Sequence, residues 1–211
     1  MNVQVPAPHG ELEGIHWVPA QPWAAAVVCH PHPLHGGTMH NHVTFRVADA
    51  MRQAGVAVLR FNFRGVGRST GSHGGGTAER EDVRAGLDWM ALQHPGLPLW
   101  VGGFSFGSVV GLTEGDADPR VTGLLGVGVP LVRGWDTGPL LRSRKPRALL
   151  CGGEDEFAPD VASWFAAVPP PVRTWLVPGA DHLFNRERKA LDAALSEAVV
   201  WLRDITAGKE S

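Results

Sequence analysis

Cysteine is scarce in this 211-residue chain. Its two thiols, Cys29 and Cys151, each close a short apolar run (AAAVVC and RALLC). Two thiols do not make a disulfide framework, so the expectation is two buried free cysteines in a reducing compartment. No apolar run approaches the roughly 18 residues that a membrane-spanning helix needs. Neither is there a basic stripe: 19 Lys+Arg against 21 Asp+Glu give a net charge of -2. That balance excludes a bulk polycation and argues against a dedicated nucleic-acid binder. The opening MNVQVPAPHGELEGIHW lacks a basic segment followed by an apolar one, so no signal peptide is expected and a cytoplasmic location is. The 27 glycines and 17 prolines form no low-complexity tract; they punctuate apolar runs. With 44% hydrophobic and 19% charged residues the chain can bury a core, and its length suits a single domain over 1–211.

Short apolar runs alternate with amphipathic stretches. VQVPA and ELEGIHWV read as an antiparallel pair turning at His9-Gly10. AAAVVC (24–29), VAVLRF (56–61), LPLWVGGF (97–104), VTGLLGVGV (121–129), RALLC (147–151) and VRTWLV (172–177) read as further strands. Val43, Val47, Ala50, Met51 and Ala54 have helical spacing and stop at Gly55. Thr77 can cap a helix carrying Val83, Leu87 and Met90, whose positive end Glu79, Glu81 and Asp82 favour. Short and long helices are expected near 105–113 and 186–204. The alternation predicts an α/β fold: about eight strands, mostly parallel, with helices on both faces. In such sheets ligands bind outside the carboxyl ends of the strands, so the residues following each strand are the ones to examine.

After LPLWVGGF comes Gly103-Phe104-Ser105-Phe106-Gly107, a G-x-S-x-G pattern between a strand and a helix. A serine on so sharp a turn projects its hydroxyl above the sheet edge, and the turn brings backbones so close that only glycine fits at 103 and 107. The helix that follows points its N–H groups at the place where negative charge develops. A serine hydroxyl needs a base, and the base an orienting acid. Asp155 follows RALLC by four residues, and His182 lies on the last strand–helix loop. The order Ser105, Asp155, His182 is that of one triad type. Glu154, Asp160 and Asp136 compete with Asp155 for the acid.

These residues, with CHPHPLHGGTMHN, RFNFRGVGRS, GGFSFGS, GGEDEFAP and GADHLF, make the chain from about 20 to 205 resemble the α/β-hydrolase superfamily, specifically its small, lidless, dienelactone-hydrolase-like serine esterases. The resemblance implies an α/β-hydrolase fold without a cap domain, a serine nucleophile, an acyl-enzyme and no cofactor. RFNFRGVGRS resembles the family's D-x-R-G-x-G-x-S stretch with Asn62 where Asp is frequent, a departure expected to touch loop structure; Arg64, Gly65 and Gly67 read as scaffold. An oxyanion hole needs two N–H donors. Phe106 is one candidate; His32 is the second by position, because Pro31 has no N–H, with Leu34 as runner-up. His73-Gly74-Gly75-Gly76 mimics a lipase oxyanion motif but follows the wrong strand and reads as a flexible loop.

Rival readings stay open at this point. His30-x-His32-x-x-His35 has metallo-β-lactamase spacing and zinc would accept such ligands, though Leu34 stands where that motif has Asp. A metal-dependent hydrolase, an acyltransferase or perhydrolase on the same triad, and a non-catalytic binding module are the alternatives. Only residues 130–146 separate the sixth and seventh strands, enough for a loop or one short helix. The mouth should therefore be open, with Trp135, Leu131, Leu140, Leu34 and Phe104 or Phe106 as apolar candidates around a small-molecule ester. No nucleic-acid or membrane partner is expected, and oligomeric state is left open.

Overall fold

The computed structural model describes residues 1–132 and 134–208. Eight strands form one sheet: β1 (Asn2–Ala7), β2 (Gly10–Trp17), β3 (Ala24–Cys29), β4 (Val56–Phe61), β5 (Leu99–Phe104), β6 (Val121–Val127), β7 (Arg147–Gly152) and β8 (Val172–Val177). Their spatial order is β1-β2-β4-β3-β5-β6-β7-β8. The pairs β1–β2 and β2–β4 are antiparallel; every pair from β4 to β8 is parallel. The helices are α1 (His42–Gln53), α2 (Glu79–Gln93), α3 (Phe106–Ala117), α4 (Gly138–Arg142), α5 (Val161–Ala167) and α6 (Arg188–Thr206). Among the described residues no helix is long and apolar enough to cross a membrane.

The continuous apolar strands split by side-chain alternation into two cores. Ala25, Val27 and Cys29 of β3 face α2 and α3, meeting Val83, Leu87, Met90 and Leu112. Ala24, Ala26 and Val28 face α1 and α6, meeting Val43, Val47, Met51, Leu191 and Leu195. A run of six buried residues, as in β3, β4, β5 and β7, is what a strand covered on both faces requires. Both cysteines are buried and unpaired.

Several loops are fixed by polar groups. Asn41 caps α1, its Oδ1 accepting from Val43 N (2.9 Å) and Thr44 N (3.2 Å). Thr77 does not cap α2, contrary to the sequence reading; its N-terminal cap position is Ala78, with no side-chain bond. The Glu79 carboxylate reaches back to the preceding loop, accepting from Gly74 N (2.8 Å) and Gly76 N (2.7 Å). The segment His73–Gly76 is therefore anchored rather than a free loop, and two of its N–H groups are already spent, which removes the lipase-like oxyanion reading on physical grounds. Arg64 ties the loop after β4 to α2 through Asp82 (Nε to Oδ1 2.9 Å, N to Oδ2 2.9 Å), while Gly65 and Gly67 take positive φ. Asn62 spans the same region: Nδ2 donates to Glu13 Oε2 and Oδ1 accepts from Met39 N. Its role is structural, as expected. Among the described residues of 130–146 α4 is the one helix, and buried Arg147 holds that connection by donating to Leu140 O and Ser143 O (2.7 Å each). The helix α5 follows Asp155 and has no counterpart in the sequence reading.

Burial gives the fold a definite pH response. His16 and His30 are both pushed down to about 4, chiefly by burial, with His94 adding to the effect at His16. Between that value and the ordinary 6.5 the unfolded chain binds protons that the native state refuses. The urea midpoint should therefore fall as pH drops from 6.5 toward 4. A flat or rising midpoint across that window would contradict these assignments.

Candidate active site

Ser105 links β5 to α3 in a conformation that non-glycine residues rarely adopt, φ 54° and ψ -122°. The neighbours explain why it persists. A Cβ on Gly103 would lie 2.3 Å from Gly107 O, and one on Gly107 would lie 2.4 Å from both Cys29 O and His30 O. Only glycine at both places lets the turn close and lets α3 dock against the end of β3. Ser105 N donates to Val127 O at 2.9 Å, tying the turn to β6. The hydroxyl is thereby placed above the carboxyl ends of the strands.

Three side chains from separate loops meet there. His182 Nε2 lies 2.9 Å from Ser105 Oγ, placed to accept its proton. His182 Nδ1 lies 2.9 and 2.8 Å from the two Asp155 oxygens. Asp155 and His182 are buried, whereas Ser105 is half-buried. The rivals Glu154 and Asp160 are exposed, as is Asp136. Asp155 is held on other sides as well: Oδ1 accepts from Phe157 N (2.9 Å) and Oδ2 receives the Cys151 thiol at 3.5 Å. Burial beside this carboxylate raises the Cys151 thiol, which stays protonated and can only donate.

Aromatic rings fix the plane of the imidazole. Phe104 lies at 5.1 Å between centroids and Phe157 at 4.6 Å. Gly128, at φ 54°, clears the space: a Cβ there would sit 3.1 Å from Phe104 and 3.2 Å from His182 Cε1. Phe157, Cys151 and Gly128 went unassigned in the sequence. Their only signal was proximity, in that Phe157 is two residues past Asp155, Cys151 ends the strand before it, and Gly128 follows β6.

A cleft of about 270 Å³ opens over Ser105, lined among others by Pro31, His32, Phe106, Trp135, Phe157 and Leu183. Of the expected mouth residues, Phe104, Phe106 and Trp135 are present, and His32, expected as an oxyanion donor, lines the cleft with them. Leu34 is not: it points to solvent at 70% exposure, because the turn Pro33–His35 directs it away. Leu140 is fully buried, and Leu131 packs against the core rather than the cleft. Leu34 also fails as a runner-up oxyanion donor, since its N–H already goes to His32 Nδ1 at 3.2 Å. The N–H groups of Phe106, at the first position of α3, and of His32 meet no acceptor among the described residues.

The early histidines do not assemble as ligands. His30 is fully buried; Nδ1 donates to Pro31 O (2.6 Å) and Nε2 accepts from Phe63 N (3.0 Å), so neither ring nitrogen has a free lone pair for a metal. His32 and His35 stack face to face at 4.5 Å. Among the described residues no cluster of three or more His, Cys, Asp or Glu side chains has the geometry to hold a metal ion. The ligand set that the spacing suggested is therefore broken at its first member.

The sequence family described as serine aminopeptidase, S33, matches residues 24–147, a span that includes Ser105 and ends before Asp155 and His182. The structure of XC6422 from Xanthomonas campestris, described as an α/β serine hydrolase without lid, is 33% identical, with 96% of this chain and 94% of that one covered at a TM-score of 0.87. The chain belongs to the α/β-hydrolase superfamily. An uncharacterized protein of Rickettsia prowazekii (strain Madrid E) is 29% identical over 93% of this chain and 87% of its own length. A dienelactone hydrolase from Anabaena variabilis, 20% identical with 96% of each chain covered and a TM-score of 0.79, shares the fold. As in XC6422, no lid covers the serine of this α/β-hydrolase among the described residues.

The space at Gly128 supplies a test. Gly128→Ala would add a Cβ against His182 and impose a positive φ on alanine. Stability should fall by about 1 kcal/mol. If the site hydrolyses esters, kcat/KM should fall as well, because His182 and Phe104 must give way by a few tenths of an ångström. A variant as active as the parent would show that His182 is not positioned from this side.

Proposed function

We propose that this α/β-hydrolase cleaves small or exposed carboxylic esters through an acyl-enzyme on Ser105. The observation that carries the reading is the unbroken hydrogen-bond line from Ser105 Oγ through His182 to Asp155. His182 Nε2 takes the hydroxyl proton as Oγ bonds to the ester carbonyl carbon. The carbonyl π-electrons move to its oxygen, which Phe106 N–H and His32 N–H stabilise; such a donor is worth about 3 kcal/mol of barrier. The imidazolium, oriented by Asp155, returns the proton to the leaving oxygen as the C–O bond breaks and the alcohol departs. Water then attacks the acyl-enzyme by the same route, giving the acid and restoring Ser105. Each step moves one proton to or from His182, and the electron pairs shift without any net oxidation or reduction.

The cleft supports the choice of substrate size. Its roughly 270 Å³ falls just below the span typical of small-molecule sites, about 300–1,000 Å³. With no cap, a long acyl chain would find little apolar surface to cover it. Specificity for p-nitrophenyl esters should therefore be higher from acetyl to hexanoyl than for palmitoyl. Asp155→Asn should keep the fold and lower kcat by about 10⁴, and Ser105→Ala should abolish turnover. A palmitoyl preference would sink the size assignment; full activity in Ser105→Ala would sink the nucleophile.

A further inference from the structure

One wall of the cleft is built from flat π-systems that the proposed chemistry leaves unused. Trp135 and Phe106 meet edge to face, centroids 5.5 Å apart at 82°. His32 lies 5.0 Å from Phe106 and 5.9 Å from Trp135, and is itself backed by His35 (4.5 Å, stacked) and His73 (5.0 Å). Burial, together with His35 and His73, holds the His32 imidazole below its ordinary value. Behind the wall, Gly76 leaves space beside the rings: a Cβ there would make only ordinary contacts with Phe106, Val110 and Trp135, at 3.6 to 3.9 Å. Trp135 is half-buried and packs against the core cluster that holds Phe106.

The stereochemistry at Ser105 says which part of a substrate meets this wall. In the tetrahedral intermediate the leaving oxygen must face His182 Nε2, so the alcohol lies beside Phe157 and Leu183, the partly exposed residues flanking that imidazole. The oxyanion faces Phe106 N–H and His32 N–H. The remaining substituent, the acyl group, is directed away from His182, toward Trp135. Resting on the serine-hydrolase reading above, the geometry points to an acyl subsite for a planar aromatic group, formed by Trp135, Phe106 and His32, so that the preferred substrates are esters of aryl-bearing carboxylic acids. Offset or edge contact between aromatic rings adds to what area burial alone supplies, and a saturated ring of the same size cannot reproduce it.

The test is a matched pair with one leaving group: p-nitrophenyl phenylacetate against p-nitrophenyl cyclohexylacetate. Neither carbonyl is conjugated to the ring, so intrinsic reactivities are close; each rate is divided by that of alkaline hydrolysis. The phenylacetyl ester should have a kcat/KM about three- to tenfold higher, a factor set by the strength of one aromatic pair. Trp135→Leu should bring the ratio toward one, and Trp135→Phe should retain most of it. An equal ratio in the wild type, or a ratio unmoved in Trp135→Leu, would overturn the subsite while acetyl ester hydrolysis left the serine-hydrolase reading intact. Failure to hydrolyse p-nitrophenyl acetate as well would overturn that reading first, and the subsite with it.

Discussion

The turn between β5 and α3 is the constraint from which the site follows. It holds three backbones closer than side chains permit: Gly103 against Gly107, and Gly107 against the carbonyls of Cys29 and His30. The cost is a non-glycine residue at φ 54°, a strain of about 1 kcal/mol or more. What it secures is a serine hydroxyl standing clear of the sheet and a helix N-terminus directed at the same point. Because β3 and β5 are neighbours in the centre of the sheet, the loop after β3 comes to the same place and brings His32 with it. Asp155 and His182 then need only emerge from the ends of β7 and β8, which pair beside each other at the sheet's far side.

Much of this was legible in the residues. Continuous apolar runs such as AAAVVC can be satisfied only by cover on both faces, which marks the central parallel strands. Glycines on either side of Ser105 announce a close backbone approach, and the serine, acid and imidazole each follow a strand in order. What stayed hidden is what depends on loop direction. Leu34 looked like a cleft residue by position, but the tight turn at Pro33–His35 points it outward. Thr77 looked like a cap, yet the cap position falls to Ala78 with no side-chain bond, and the Glu79 carboxylate ties down the loop before the helix. The histidine spacing 30-32-35 matched a metal motif, but spacing does not disclose that His30 is buried with both nitrogens engaged.

The groups around Asp155 and His182 show a related limit. Phe104 and Phe157 confine the imidazole, Cys151 and Phe157 N–H hold the carboxylate, and Gly128 makes room for Phe104 and the imidazole. None carries a motif, because what each contributes is a distance and not a chemistry. The same is true of the π-lined wall at Trp135: its members come from the ends of β3, β5 and β6, and only their meeting gives them a common role.

Every proposed step rests on Ser105 as an activated nucleophile, and a covalent probe tests that role. Incubation with a fluorophosphonate, followed by mass spectrometric mapping of the adduct, reads the hydroxyl, its base and its oxyanion donors together. Stoichiometric modification at Ser105, lost when His182 is replaced by alanine, is the expected result. Modification elsewhere, or none on folded protein, would contradict it.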